Sequence, residues 1–112
     1  MKQQDIKVTF RAMTLKDYDA VIALWKKGNI PYRPQGCDSR KNIAAQLKQP
    51  ACHFLVAVTD KTIIGAIVGT HDGRKGWINR LVVAPSYRKK GIAKGLVEEV
   101  EHHFSAQGID IV

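Results

Sequence analysis

The stretch that decides the fold is LVVAPSYRKKGIAK, residues 81–94, in which an apolar strand runs into a basic, glycine-containing helix start. The start of a helix leaves about four backbone N–H groups without intrahelical partners, and the helix dipole adds roughly half a positive charge there. Arg88, Lys89 and Lys90 add cations, and Gly91 has no side chain to hold a ligand away from the backbone. The stretch therefore predicts a binding site for a diphosphate.

A purely structural helix start is the alternative for these residues. Three consecutive cations at a helix N-terminus oppose the helix dipole and repel one another, which such a start normally avoids. A bound anion resolves the conflict, so we favour the phosphate site. Two rival phosphate motifs do not fit, because the chain has neither Gly-x-x-x-x-Gly-Lys-Ser/Thr nor a Gly-x-Gly-x-x-Gly that follows a strand.

This segment resembles the cofactor-binding motif of the GNAT superfamily of N-acetyltransferases, Gln/Arg-x-x-Gly-x-Gly/Ala. The strand before it, the turn at 84–87 and the amphipathic helix after it match the family in the same order. In that family acetyl-CoA lies between two splayed parallel strands. The resemblance implies that the pantetheine arm contacts the backbone of Leu81, Val82 and Val83. It implies that the pyrophosphate is held by Arg88, Lys89, Lys90, Gly91, Ile92 and Ala93.

The chain has 112 residues, 45% of them hydrophobic and 25% charged, which is the composition of one globular domain, residues 1–112. No apolar run approaches the roughly 20 residues that span a bilayer, and the polar start lacks a signal peptide's apolar region. We therefore expect a cytoplasmic protein with no membrane partner. Cys37 and Cys52 form no Cys-x-x-Cys and are expected to be reduced thiols.

The net charge of +8 draws polyanions, and both coenzyme A and RNA qualify. However, the chain has no strand of the Lys/Arg-Gly-Phe/Tyr-Gly/Ala-Phe type on which RNA bases stack. We expect no specific nucleic-acid partner.

The hydrophobic pattern predicts an α/β (α+β) fold with a mixed, mostly antiparallel central sheet flanked by helices. The last strand is expected to run parallel to the strand before Arg88, because a helix joins the two. This order also resembles the amino-terminal two-thirds of the GNAT fold, truncated after the fifth strand. The expected strands are 6–11, 53–58, 62–69, 76–83 and 109–112, and the expected helices begin at Thr14, at Asp38 or Ser39, and at Lys90.

A complete member of the family continues with another helix and two strands, and that helix often carries a Tyr that protonates the leaving thiolate. Tyr18, Tyr32 and Tyr87 all lie upstream, so none takes that role by motif. Either a longer protein or a homodimer that pairs through the exposed last strand would complete the sheet. We favour the fragment, and we doubt that this chain is active alone.

A general base is not assigned. Asp72 is a candidate, but Asp-Gly is a common hairpin-turn pair, so a turn role is favoured. His71 has a suitable intrinsic pKa and is expected to be a solvated loop residue. Trp25 and Trp77 are expected to be packing anchors, although Trp77 is also a candidate to line an acceptor cleft. The catalytic residues therefore stay unknown.

No metal site is predicted. His102 and His103 are adjacent, hence about 100° apart around a helix, and do not share a face. Cys37, Cys52 and His53 lack the spacing of a zinc finger.

The resemblance implies an N-acetyltransferase in which a free amine attacks the thioester of acetyl-CoA directly and a strand N–H stabilises the oxyanion. Protein amino groups, small amines and antibiotics are all open as acceptors. Two alternatives remain. One is a non-catalytic CoA-binding module, and the other is a basic nucleic-acid-binding domain.

Overall fold

The computed structural model describes residues 7–111. The strands are β1 (Thr9–Ala12), β2 (Cys52–Thr59), β3 (Thr62–His71), β4 (Lys75–Val83) and β5 (Asp110–Ile111). The helices are α1 (Tyr18–Lys27), α2 (Arg40–Gln46) and α3 (Ile92–Ala106), with 3-10 turns at Leu15–Asp17 and Pro85–Tyr87.

The five strands form one sheet in sequence order, β1-β2-β3-β4-β5. All neighbouring pairs are antiparallel except β4 and β5, which are parallel, because α3 carries the chain back across the sheet. The predicted mixed, mostly antiparallel sheet is therefore confirmed. The two predicted strands 53–58 and 62–69 are joined by a turn whose residues Asp60 and Lys61 both have positive φ, 50° and 64°.

Helices cover both faces of the sheet, because side chains alternate along each strand. One face of β2 and β4, with Phe54, Val56 and Val82, packs against α1 and α2. The other face, with Leu55, Ala57 and Val83, packs against α3. The first core also contains Val21, Trp25, Ile43 and Ala66, and the second contains Ile64, Leu96, Val100 and Phe104.

The predicted start near Thr14 is a 3-10 turn, and α1 begins at Tyr18. The Thr14 backbone N–H donates to the Asp17 carboxylate at 2.8 Å. Arg11 of β1 donates to both oxygens of the same buried carboxylate at 2.7 and 3.0 Å. Asp17, three residues after Thr14, therefore completes a capping box at the turn and also joins the helix to the edge strand. The local sequence pattern does not indicate the link to the edge strand.

The prediction that α3 begins at Lys90 is wrong by two residues. Lys89 and Gly91 have φ of 65° and 79°, and this left-handed backbone cannot continue a helix. α3 therefore begins at Ile92. At the other end, Gly108 has φ of 76°, and the Ile109 N–H donates to Phe104 O at 2.8 Å, so a left-handed glycine ends the helix.

The structure differs from three further expectations, which concern the start of β1, Trp77 and His71. Within the described residues β1 begins at Thr9, so Lys7 and Val8 do not belong to it, and the expected first residue, Ile6, lies outside the described part of the chain. Trp77 is 40% exposed and is not a packing anchor, whereas Trp25 is buried. His71 is not a solvated loop residue. It ends β3 half-buried, with its ring against Phe104.

Candidate functional site

The main candidate site is a cleft of about 460 Å³ between the end of α1, the second half of β4 and the start of α3. We call it the cofactor cleft. It is lined by Gly28, Ile30, Leu81, Val82, Val83, Tyr87, Arg88, Lys89, Gly91, Ile92, Ala93 and Lys94.

The cleft follows the edge of β4 that faces away from β3. The Ala84 N–H donates to Ile64 O of β3 at 2.8 Å, so Val82, two residues earlier, also directs its N–H and C=O toward β3. Leu81 and Val83 therefore direct theirs to the opposite edge. Within residues 7–111, β5 pairs only with the first two residues of β4, so this part of the edge is open to a ligand.

A cation-rich turn, residues 88–91, forms the upper end of the cleft, and we call it the cation loop. Gly91 is the N-cap residue of α3, and no atom lies within 4 Å of the position that a Cβ would take there. The first backbone hydrogen bond of α3 runs from the Gly95 N–H to Gly91 O at 3.0 Å, so the N–H groups before Gly95 have no intrahelical acceptor. Nor does the first turn of α3 contain an acidic residue. An anion is therefore favoured here on charge, dipole and space.

The cation loop is fixed to the strand below it. The Arg88 side chain donates from Nε to Val83 O at 3.1 Å. That carbonyl lies on the open edge of β4, so one cation of the loop is held directly at the cleft.

The structure brings eight of the nine predicted cofactor residues to this one cleft and leaves Lys90 outside its lining. Lys90 lies in the cation loop but does not line the cleft. Sequence reasoning missed Gly28, Ile30, Tyr87 and Lys94. Tyr87 and Lys94 are close enough in sequence to the motif to have been found. Gly28 and Ile30 follow α1, far from the motif, and nothing in the sequence around them indicates a ligand site.

Gly28, which directly follows α1, lines the cleft next to Val82 of β4. A Cβ at Gly28 would lie 2.8 Å from Val82 Cγ2. A side chain there would therefore push α1 away from β4 and change the width of the cleft.

A second polar feature lies beside the cleft, on the α1 face of the sheet. Arg80 of β4 forms a bidentate ion pair with the buried carboxylate of Asp38, with both N–O distances at 2.8 Å. Burial raises the pKa of Asp38, but the hydrogen bonds from Arg80 and from the Arg33 backbone N–H outweigh it, so this pKa lies below its ordinary value. The carboxylate is therefore ionised at neutral pH. The sequence pattern indicates Asp38 only as a candidate for the start of a helix.

The two candidates for a general base lie at the far end of β4. His71 pairs with Gly76, which is five residues, or roughly 17 Å, from Leu81 at about 3.3 Å per residue. Asp72 Oδ1 accepts from the backbone N–H groups of Arg74 and Lys75, both at 2.9 Å. Those bonds lower the pKa of Asp72 and give it the turn role that the sequence favoured.

No group of three or more His, Cys, Asp or Glu residues within 7–111 is arranged to hold a metal ion. In the same part of the chain, no helix is both long and apolar enough to cross a bilayer. Both cysteines have free thiols, with Cys37 exposed.

The sequence model of the acetyltransferase (GNAT) family matches residues 17–112. Among curated proteins, the chain is similar to an acetyltransferase of Pectobacterium atrosepticum, at 35% identity over 82% of this chain and 64% of the relative. An acetyltransferase of Sodalis glossinidius matches at the same identity, over 63% of its length. The chain thus spans slightly less than two thirds of the length of these relatives.

Solved structures share the fold. The PaiA N-acetyltransferase of Thermoplasma acidophilum, solved in complex with coenzyme A, superposes with a TM-score of 0.75 at 22% identity. That match covers 92% of this chain and 75% of the neighbour. A predicted acetyltransferase of Clostridium acetobutylicum, solved with acetyl-CoA, gives a TM-score of 0.77 at 19% identity over 95% of this chain and 79% of the neighbour. At these identities the likeness establishes the fold alone.

Proposed function

Because the chain belongs to the GNAT family of acetyltransferases, we propose that the protein transfers an acetyl group from acetyl-CoA to an amine acceptor. The observation that carries the proposal is that two structural features lie together in the cofactor cleft. The open backbone edge of β4 at Leu81 and Val83 suits an extended amide-containing arm, and the cation loop suits the diphosphate next to it.

Different residues of the cleft would hold different parts of acetyl-CoA. We assign the diphosphate to Arg88, Lys89 and the free N–H groups at the start of α3. Lys94, which also lines the cleft, adds a further cation to this end. Lys90 contributes long-range charge only, because it lies outside the lining.

The arm of the donor would lie along Leu81–Val83, between β4 and the wall made by Gly28 and Ile30. Peptide-like groups in the arm match the outward N–H and C=O groups of Leu81 and Val83. The Val83 carbonyl already accepts from Arg88, so the arm would share or replace that bond. Val82 supplies the apolar side chain on the α1 face.

Acetyl-CoA supplies a thioester, which a neutral amine attacks at the carbonyl carbon. A C–N bond forms and the C–S bond breaks. One proton leaves the amine nitrogen, and the sulfur leaves as a thiolate that takes up a proton. In this proposal an outward N–H of β4 stabilises the negative charge that develops on the carbonyl oxygen.

The proposal is tested first by calorimetric titration of the purified chain with acetyl-CoA. We expect saturable binding by the wild type and none by an Arg88→Ala/Gly91→Glu double variant, because that variant loses a cation and fills the cradle with an anion. Lys41→Glu is the matched control, since it makes the same change in net charge at an exposed site on α2. Circular dichroism confirms that each variant is folded.

Turnover is tested next, by following the release of free thiol in the presence of primary amines. Amine-dependent release supports the transferase. Binding without release by any amine would support the non-catalytic CoA-binding module instead. If the wild type binds no acetyl-CoA but loses oligonucleotide affinity steeply with salt, the nucleic-acid-binding alternative gains the support.

A further inference from the structure

Asp38 is the most heavily bonded side chain in the segment between α1 and α2. It is only 3% exposed, and it accepts two hydrogen bonds from Arg80 and one, at 2.7 Å, from the Arg33 backbone N–H. Its own carbonyl accepts from the Tyr18 hydroxyl at 2.6 Å. The segment is thereby bonded at one residue to β4, to α1 and to itself.

Arg80 is fixed as firmly as its partner. Its guanidinium carbon lies 4.4 Å from the centre of the Trp25 ring, and that ring is buried in the core. A guanidinium held between an aromatic face and a carboxylate has little freedom to reorient. The Asp38–Arg80 pair therefore has one geometry rather than several.

The pair connects the two walls of the cofactor cleft. Arg80 directly precedes Leu81 in β4, where the lining of one wall begins. Gly28 and Ile30 line the other wall and lie at the start of the segment that follows α1. Asp38 lies near the far end of the same segment. We therefore expect a change in the Asp38–Arg80 distance to move one wall relative to the other.

We propose that Asp38, through Arg80, is a positioning residue that sets the width of the cofactor cleft along the arm of the donor. The inference rests on the proposed function, because it takes acetyl-CoA as the ligand of the cleft. It assigns Asp38 no contact with the ligand. The cation loop follows the end of β4, and its Arg88 bonds to Val83, three residues beyond Arg80. Neither Asp38 nor Arg80 bonds to the loop, so we expect the pair to have little effect on the diphosphate end of the ligand.

Stability alone does not account for this arrangement. Two charges removed from water repay their desolvation only when the geometry is good, so a buried ion pair is weak evidence for stability. The chain contains a second pair of the same type that serves as a matched control. The Asp17 carboxylate is also buried and bidentate to Arg11, but it lies at the opposite end of α1 from Gly28, about 16 Å away at 1.5 Å per residue.

The test compares Asp38→Asn with Asp17→Asn, and acetyl-CoA with adenosine diphosphate, which has the diphosphate but no arm. Affinities are measured by calorimetry, with displacement for the weaker ligand, and thermal midpoints are recorded for each variant. We expect Asp38→Asn to weaken acetyl-CoA binding on the order of tenfold and ADP binding less than about twofold, because only the arm crosses the misplaced wall. Asp17→Asn should lower the thermal midpoint and leave both affinities unchanged.

Several outcomes would overturn the inference. They are unchanged acetyl-CoA affinity in Asp38→Asn, an equal loss for both ligands, or an equal loss in both variants. No ADP binding by the wild type would overturn it too, because the two ends of the cleft would then not act separately. If Asp38→Asn does not fold, Arg80→Lys, which keeps the charge but loses the bidentate fork, is measured by the same criteria. A wild type that binds neither ligand removes the proposed function, and the inference with it.

Discussion

Gly76 of β4 lies directly beneath the ring of Phe104 of α3, and a Cβ at this position would overlap that ring. The Phe104 side chain is fully buried, so it cannot move aside. We therefore expect Gly76→Ala to lower the free energy of unfolding by about 1–3 kcal/mol, the usual cost of overpacking a core.

Urea denaturation measures this change. Gly36→Ala is the control, because the nearest side-chain atom to a Cβ there is at an ordinary contact distance of 3.5 Å. The double variant Gly76→Ala/Phe104→Leu replaces the aromatic ring with a smaller side chain and should recover part of the lost free energy of unfolding. Equal stabilities of Gly76→Ala and the wild type would show that α3 and β4 pack less closely than described.

The cations of the cation loop are not equivalent. Arg88 lines the cleft and bonds to Val83, whereas Lys90 lies outside the lining. We expect Arg88→Ala to weaken acetyl-CoA binding by about tenfold to a hundredfold, the range for one hydrogen bond to a charged group, and Lys90→Ala by no more than about threefold. Calorimetric titration at a fixed salt concentration compares the two. Equal losses would mean that the loop acts through its summed charge and not through the position of Arg88.

The turn between β2 and β3 offers a stabilising substitution. Lys61 has φ of 64°, which costs an ordinary residue more than it costs glycine. Lys61→Gly should therefore raise the free energy of unfolding by about 0.5–1 kcal/mol, because it places the preferred residue at the second position of a type I′ turn. Lys48→Gly, at an exposed lysine without positive φ, should instead destabilise. Thermal denaturation of both variants checks the contrast in sign.

His53 makes stability depend on pH in the mildly acidic range. Burial lowers the pKa of His53 below its ordinary value near 6.5, and the neighbouring His103 and His71 lower it further. The hydrogen bond that its Nε2–H donates to Gln107 Oε1 acts in the opposite direction and raises the pKa. Those groups and the ring of Phe104 surround it. Below pH 6.5 the unfolded chain takes up a proton at this residue that the folded chain does not, so stability falls as the pH is lowered from about 7 to 5.

His53→Gln should flatten that pH dependence, measured by urea denaturation at a series of pH values. His102→Gln is the control, because His102 is exposed on α3. The lowered pKa values of Asp17 and Asp38 act below pH about 4 and do not contribute in this window. A slope that persists in His53→Gln would assign the effect to another group.

Local patterns predicted most of the fold. Short, mostly apolar runs located β2, β3 and β4, and the Asp-Gly pair located the hairpin between the last two. The onset of α3 was misplaced, because the composition of the cation loop does not reveal that Lys89 adopts a left-handed backbone. A single non-glycine residue with positive φ has no reliable signature in sequence.

The site was predictable only on its β4–α3 side, where the contributing residues are close in sequence. The opposite wall was not, because Gly28 reaches Val82 only after α1 packs on the sheet. The pairing of Asp38 with Arg80 spans 42 positions and depends on the same packing. Such contacts follow from the tertiary structure, and neither residue shows its partner through periodicity or spacing.

Hydrogen–deuterium exchange at the backbone amides of β4 can show whether a ligand occupies the cleft. Val82 and Ala84 donate toward β3, so their amide protons should exchange slowly, while those of Leu81 and Val83 face the open edge and should exchange fast. A ligand that lies along this edge would slow the second pair and leave the first unchanged. The alternating pattern would therefore reveal occupancy of the cleft at single-residue resolution, without any knowledge of the acceptor.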